Sequence, residues 1–199
     1  MSTTELIKVA EKALLSTFAE IDQQVKQHLK KVLQAFRDHR LGVHHFSTVT
    51  GYGHDDLGRD VLDQVFAQIM GSESAAVRLQ FVSGTHAIAS CLFGVLRPGE
   101  EMLAVAGHPY DTLEEVIGLR GKGKGSLREF KIDYRELALT PENKIDWEGL
   151  KTAVRENTRL VLIQRSCGYS WRESLSIEDI EKIVTMVKTI DTVIICRPL

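Results

Sequence analysis

The feature that most constrains the fold is an alternation of strand and helix patterns that begins near residue 77. Strand patterns occur at 77–82, 101–107, 127–132, 159–164 and 192–196. The segment RLVLIQ is almost entirely apolar, as expected of a strand that is buried on both faces. Helical patterns separate the strands. This alternation predicts an α/β domain with a mainly parallel sheet.

The sequence before this region is helical. Residues 4–38 carry apolar side chains at helical spacing throughout, and a loop rich in glycine and histidine follows. A second helix is predicted over 57–70, with Gly71 as its C-terminal stop. We therefore expect N-terminal helices followed by the α/β domain.

Composition excludes several classes of partner. The chain has 25 Lys and Arg against 27 Asp and Glu, so its net charge of −2 indicates no nucleic-acid or anionic-membrane partner. It has no apolar run of the roughly 18 residues that a membrane span needs. The first residues contain Glu5 and Glu11 and lack the basic start and uninterrupted apolar stretch of a signal peptide. The three cysteines are too widely spaced for a disulfide framework, and we expect a cytoplasmic location.

In parallel sheets, ligands bind at the carboxyl ends of the strands. After the first predicted strand the chain reads Ser83-Gly84-Thr85-His86 and then enters a helix. The free N–H groups of a helix start, beside a glycine and two hydroxyls, predict a phosphate cradle. The same residue types also cap helices without binding anything, so a capping role stays open.

The loop after the second predicted strand contains Tyr110, whose ring could lie flat against a cofactor ring held by the first loop. The alternative is a plain turn in which Asp111 or Thr112 caps the next helix.

The loop after RLVLIQ spans 164–172 and contains Arg165 and Arg172 beside Gly168. Arginine forms bidentate hydrogen bonds with carboxylates and phosphates, so this loop is a candidate for binding either group. A metal site is not expected: His54 and Asp55 in the loop before the second helix fit no common ligand spacing.

Together these loops resemble the fold-type I enzymes of cysteine and methionine metabolism that use pyridoxal 5′-phosphate (PLP). The resemblance is clearest over residues 83–112, SGTHAIASCLFGVLRPGEEMLAVAGHPYDT. It implies that Ser83, Gly84 and Thr85 bind the cofactor, with Gly84 and Thr85 on its phosphate. It also implies that Tyr110 stacks on the pyridine ring.

The segment TGYGHDDLGRDVLDQVFAQIMG, residues 50–71, is similar to the family segment that reaches the phosphate site of a neighbouring subunit. Tyr52 matches the tyrosine of that segment. Arg59 matches its arginine more loosely, because the usual Tyr-x-Arg spacing is missing. The resemblance implies a homo-oligomer.

The closer resemblance is to the methionine γ-lyase-like branch, also called aluminium-resistance proteins. Its N-terminal helices and its GYGHDD, FVSGTH and QRSxGY motifs all occur in this sequence in order, with Cys167 where arginine is usual. On this basis residues 1–50 form an N-terminal helical segment. Residues 51–199 form an incomplete PLP-binding large domain of the α/β fold-type I class.

The implied function is a PLP-dependent carbon–sulfur lyase acting on a sulfur-containing amino acid, by β or γ elimination. Arg165 or Arg172 would bind the substrate carboxylate. In the family, an aspartate and then the Schiff-base lysine follow a strand that corresponds to 192–196. Lys182 and Lys188 precede that strand. We therefore expect a truncated N-terminal fragment that binds PLP weakly and is inactive alone.

Two alternatives remain from the residues themselves. In the first, the chain is a non-catalytic fragment or subunit whose N-terminal helices bind a partner chain that supplies the lysine. In the second, it is another nucleotide- or phosphate-binding α/β domain, although no Rossmann glycine fingerprint supports that.

Overall fold

The computed structural model describes residues 2–49, 56–187 and 193–197. The chain divides into two compact units, Met1–Gln80 and Phe81–Leu199. Each is described on its own. The division predicted at residue 50 rests on resemblance rather than on compactness, and it stays a prediction.

The first unit contains helix α1 (Thr3–Asp38), a short 3₁₀ helix (Val43–Phe46) and helix α2 (Leu57–Met70). Helix α1 begins at a capping box in which Ser2 and Glu5 bond each other's backbone N–H groups. Helix α2 begins at Asp56, which accepts the N–H of Arg59, and ends at Gly71 with a φ of 67°. Both predicted helices are confirmed.

Helices α1 and α2 are joined by a small contact. Asp38 accepts hydrogen bonds at 2.7 Å from Gln68 on α2 and from Gln34 on its own helix, and these bonds lower the pKa of Asp38. Most apolar side chains of α1 remain exposed. We call one row of them the α1 stripe: Ile7, Leu14, Phe18, Ile21, Val25, Leu29, Leu33 and Phe36.

Helix α1 has 36 residues, which is long enough in principle to cross a bilayer. Its many charged side chains make it unsuitable. Across the described ranges, no helix combines the length and apolar content of a membrane span.

The second unit contains a four-stranded sheet. Its strands are β1 (Glu101–Ala104), β2 (Asp133–Glu136), β3 (Thr158–Gln164) and β4 (Val193–Arg197), in the order β2-β1-β3-β4. All neighbouring strands are parallel. The predicted α/β class with a parallel sheet is therefore confirmed.

Four helices surround this sheet: α3 (Gly84–Val95), α4 (Asp111–Ile117), α5 (Trp147–Ala153) and α6 (Ile177–Val187). Asp146 caps α5, as predicted, by accepting the N–H of Gly149 at 2.9 Å.

The sheet separates two hydrophobic cores. On β3, Leu160 and Leu162 pack with residues of α3 and α4, whereas Val161 and Ile163 pack with residues of α5 and α6. Successive strand residues point to opposite faces, so an apolar strand serves both cores. Each fully buried Leu or Ile contributes about 1.5–3 kcal/mol to folding. The sheet and the helices on its two faces therefore form three layers.

Two strand predictions were wrong. Residues 77–82 form no strand, and Leu79 is 97% exposed. A strand needs a hydrogen-bonding neighbour. This segment is tied instead to Asp63 on α2, which accepts the N–H of Val77 and a bidentate bond from Arg78.

The strand predicted at 127–132 lies later, at Asp133–Glu136. Residues 127–131 form turns, in which Phe130 donates its N–H to Ser126 and Lys131 takes a φ of 58°. Leu127 and Ile132 are nevertheless buried in the core. The segment is apolar because these residues of the turn region pack against the sheet.

Candidate cofactor site

The site begins at the first turn of α3. Ser83 caps the helix by accepting the N–H of His86 at 3.0 Å. The N–H groups of Gly84 and Thr85 donate to no acceptor in the described part of the chain. A Cβ added at Gly84 would meet no heavy atom within 4 Å. The turn therefore offers two free amides and the positive end of a helix to open space, which suits an anion.

A side-chain bond joins this turn to the next loop. The hydroxyl oxygens of Thr85 and Thr112 lie 2.8 Å apart. Thr112 is in the first turn of α4, two residues after Tyr110. The structure thus brings Ser83, Gly84 and Thr85 to the same edge of the sheet as Tyr110, as the sequence predicts.

Tyr110 is held by the loop that follows β3. Its N–H donates to the side-chain oxygen of Gln164 at 2.7 Å. Its ring stacks against that of Tyr169, with centroids 5.9 Å apart and planes 24° from parallel. The backbone of Gly168 lies so near the ring that an added Cβ would be 2.9 Å from Cδ2 of Tyr110.

Arg172 is directed into its own loop. It is only 6% exposed, and its guanidinium donates to the carbonyls of Gln164 at 2.7 Å and Glu173 at 2.9 Å. It also donates to the carbonyls of Arg165 and Ser166. Burial lowers the pKa of Arg172, although an arginine stays charged. Its guanidinium is engaged in shaping the loop.

Arg165 has more capacity for a ligand. It is half-buried, and its Nε donates to the carbonyl of Leu175 at 3.2 Å. Its two terminal nitrogens donate to none of the residues that the structure describes. Of the two arginines proposed for a substrate carboxylate, Arg165 is the one whose geometry leaves donors available. The assignment of either to substrate stays a prediction.

His108 braces the loop that carries Tyr110. Its Nδ1 lies 2.9 Å from a carboxylate oxygen of Glu136, and its Nε2 lies 3.2 Å from one of Glu114. Burial works to lower the pKa of His108, but the two carboxylates outweigh it and raise the pKa above 6.5. His108 therefore holds its proton more tightly than an ordinary histidine side chain does.

The residues predicted to reach a neighbouring subunit belong to the first unit. Arg59 lies in the first turn of α2, with its Nε 3.3 Å from a carboxylate oxygen of Asp56. Tyr52 lies outside the described residues, as do His54 and Asp55. The roles of Tyr52 and Arg59 at a phosphate site stay predictions.

No specific role for Gln164, Gly168 or His108 was predicted from the sequence. A signal existed for Gln164, because a polar residue directly follows the apolar run 160–163 of a strand predicted to be buried. Such a residue needs a specific hydrogen-bond partner. Nothing local in the sequence indicates that this partner lies 54 residues earlier.

Comparisons with known proteins agree with this architecture. The methionine gamma-lyase family model matches residues 3–197. The uncharacterized protein YnbB of Bacillus subtilis is 43% identical over 192 residues, which are 94% of this chain and 46% of YnbB.

Two solved structures are similar over nearly the whole chain. One is a candidate cystathionine beta-lyase involved in aluminum resistance from Listeria innocua, with 43% identity and a TM-score of 0.92 over 98% of this chain and 49% of that one. The other is a carbon-sulfur lyase involved in aluminum resistance from Clostridium novyi, with 42% identity and a TM-score of 0.88 over 97% and 47%. The chain thus spans about half the length of these relatives.

A more distant structure, metB from Corynebacterium glutamicum, has 14% identity and a TM-score of 0.53 and shows a shared fold only. The predicted fold class, N-terminal helices followed by part of a fold-type I large domain, is confirmed. Since the family model matches residues 3–197 and the aligned residues of YnbB and of the Listeria innocua protein are 43% identical to this chain, the chain belongs to the methionine gamma-lyase family.

Proposed function

We propose that this chain forms the part of a PLP-dependent carbon–sulfur lyase that holds the phosphate and ring of the cofactor. The observation that carries the proposal is the bond between Thr85 and Thr112. It sets two free backbone amides at Gly84 and Thr85 beside the loop that presents Tyr110. A phosphate and an aromatic ring joined by a short linker require this pairing of an anion site with a stacking residue.

The residues present fit PLP. The amides of Gly84 and Thr85, together with the positive end of α3, would hold the phosphate, and the hydroxyls of Ser83 and Thr85 would add donors. Tyr110 would stack on the pyridine ring. PLP supplies an electron sink that stabilises negative charge on the substrate's α carbon.

The substrate proposal rests on Arg165. The relatives include proteins described as cystathionine and carbon–sulfur lyases, so we propose a sulfur-containing amino acid as substrate. The terminal nitrogens of Arg165 would bind its carboxylate as a bidentate pair, which orients the α carbon. Both β and γ elimination fit this arrangement.

We also propose that these 199 residues do not supply the lysine that bonds to the cofactor. Lys182 on α6 is exposed, and its Nζ lies 3.7 Å from the centre of the Trp147 ring, which packs against the core on the α5 and α6 side of the sheet. Lys188 lies outside the described residues. The relatives are about twice as long, so they have room for a lysine elsewhere. The chain alone should then bind PLP weakly and show no lyase activity.

The proposal is tested by binding rather than by turnover. PLP reacts with surface lysines, so the probe should be deoxypyridoxine phosphate, which has the phosphate and ring but no aldehyde. Quenching of intrinsic fluorescence would give its Kd for the wild type and for Tyr110→Ala. The proposal predicts weaker binding by Tyr110→Ala and is contradicted by equal binding.

A second candidate is a subunit that works only with a partner chain. The α1 stripe supports it, because eight large apolar side chains on one helix face are at least 37% exposed. The chain would be mixed with the C-terminal half of YnbB, and lyase activity measured with cystathionine and with methionine. Activity that appears only in the mixture, and is lost with Ile21→Glu, supports this candidate. Activity of the chain alone contradicts it.

The cytoplasm remains the proposed compartment. Cys91, Cys167 and Cys196 are all free thiols, as expected in a reducing environment.

A further inference from the structure

We infer that Gln164 is a positioning residue for Tyr110, set at the end of β3 to fix the loop that presents the stacking ring. The inference rests on the proposed function only in giving Tyr110 a cofactor to stack on. The contacts themselves are properties of this chain. Gln164 is 6% exposed, and it is the one polar side chain in the apolar run Leu160–Gln164.

Both ends of the Gln164 side-chain amide are used. Its oxygen accepts the N–H of Tyr110 at 2.7 Å, and its nitrogen donates to the carbonyl of Ser166 at 3.3 Å. The second bond fixes which way the amide faces, so the oxygen is kept towards Tyr110. The backbone carbonyl of Gln164 accepts from Arg172 at 2.7 Å, which holds the base of the loop.

The same loop contacts the ring of Tyr110. Gly168 has a φ of 59°, a conformation that favours glycine, and its missing Cβ leaves room for the ring edge. Tyr169 then stacks at 5.9 Å. The loop therefore fixes Tyr110 at two places, the amide through Gln164 and the ring through Gly168 and Tyr169.

A purely structural role would not require this geometry. A buried amide costs stability unless it is hydrogen-bonded, and leucine would fill the same volume without that cost. What leucine cannot provide is an acceptor for the Tyr110 N–H. The specific consequence of Gln164 is thus the orientation of Tyr110, and the experiment must measure that orientation apart from stability.

The test uses the full 199-residue chain without cofactor. Hydrogen exchange at the Tyr110 amide would be followed by NMR in the wild type, Gln164→Leu and Gln164→Glu. Glutamate keeps the acceptor oxygen. Ser170→Ala is the matched control, because it removes a hydrogen bond to the Cys167 carbonyl in the same loop without touching Gln164.

We expect exchange at Tyr110 to be about tenfold faster in Gln164→Leu, the effect of one lost hydrogen bond of ~1.4 kcal/mol. Gln164→Glu keeps an acceptor for the Tyr110 N–H but loses the donor to Ser166, so its exchange should be slower than that of Gln164→Leu. Ser170→Ala should exchange like the wild type. Unchanged exchange in Gln164→Leu overturns the inference, as does equally fast exchange in the glutamate variant. If Gln164→Leu does not fold, Gln164→Met replaces it, because methionine has a similar length and no amide oxygen. Unchanged exchange at Tyr110 in that variant overturns the inference.

Binding of deoxypyridoxine phosphate is measured on the same variants. A Kd that rises about tenfold in Gln164→Leu, in step with the exchange rate, supports both the inference and the proposed function. Equal binding by the wild type and Tyr110→Ala contradicts the proposed function. The exchange result then still decides the positioning role, so the two failures can be told apart.

Discussion

The hydroxyl oxygens of Thr85 and Thr112 lie 2.8 Å apart and connect the first turns of helices α3 and α4. Through this bond, the free amides of Gly84 and Thr85 come to the same edge of the sheet as Tyr110. The two halves of the proposed cofactor site are thereby joined by a pair of side chains that lie 27 residues apart in the sequence.

Thr85→Val should weaken binding of deoxypyridoxine phosphate. Valine has the shape of threonine but no hydroxyl, so both the bond to Thr112 and a donor to the phosphate are lost. One or two hydrogen bonds of ~1 kcal/mol each predict a Kd about five- to thirtyfold higher. Fluorescence titration would measure it, with Thr85→Ser as the control that keeps the hydroxyl. Equal affinities of the valine and serine variants would contradict a role of the Thr85 hydroxyl in the phosphate site.

Tyr110→Phe should bind deoxypyridoxine phosphate about as well as the wild type, whereas Tyr110→Ala should bind it less well. Stacking depends on the aromatic face, which phenylalanine keeps, and loss of the ring should raise the Kd about tenfold or more. The same titration measures this. Similar losses in both variants would show that the phenol hydroxyl matters and that stacking is not the main contact.

Arg172→Ala should destabilise the fold more than Arg165→Ala does. Arg172→Ala removes a buried guanidinium that donates to carbonyls of its own loop, and it should lower the free energy of unfolding by about 2–3 kcal/mol. Arg165 makes one such bond, so Arg165→Ala should cost about 1 kcal/mol or less. Urea denaturation compares them. A larger loss for Arg165→Ala would mean that Arg165, rather than Arg172, holds the loop together.

His108 should make stability depend on pH. Its pKa is raised in the folded chain, because Glu136 and Glu114 outweigh the effect of burial. The groups that face it are these two glutamates, Tyr134, which bonds Glu136, and Arg120, which pairs with Glu114. A raised pKa means that the stabilisation is complete below the unfolded value of about 6.5 and is lost as pH rises through the folded pKa.

The prediction is therefore a stability gap between wild type and His108→Gln that is widest in mild acid and narrows above neutral pH. Thermal unfolding across that range would measure the gap. A stability difference that grows as the pH rises would contradict a raised pKa of His108 in the folded chain.

Local signals sufficed for much of the fold. The apolar spacing of α1, the glycine after α2, the capping Asp146 and the apolar run 160–163 of β3 each have a short-range physical cause, and each is predictable from the sequence. Residues 77–82 and 127–132 are not, because strand formation depends on a distant neighbour that a sequence pattern does not identify. The first of these segments is held instead by hydrogen bonds to Asp63, and most of the second forms tight turns.

The same distinction between local and long-range causes applies to the candidate site. The loops that follow β1 and β3 could be located from the sequence. Gly84, Thr85 and Tyr110 do cluster in space as predicted, although the segment before Ser83 forms no strand. The orientation of side chains could not be predicted. Arg172 has the residue type of a carboxylate binder, but its surroundings direct it to backbone carbonyls. The polar Gln164 could be noticed in the sequence, but its role followed only from its hydrogen bond to Tyr110.

The most direct test of the central claim compares deoxypyridoxine phosphate with deoxypyridoxine, which has the same ring but no phosphate. Equilibrium titrations of the wild type and Tyr110→Ala would be run side by side. We expect the phosphorylated compound to bind the wild type at least about tenfold more tightly, since two backbone amides and a helix dipole favour the anion. Tyr110→Ala should bind both compounds less well. Equal affinity for the two compounds, unchanged by Tyr110→Ala, would contradict a phosphate-and-ring site at this edge of the sheet.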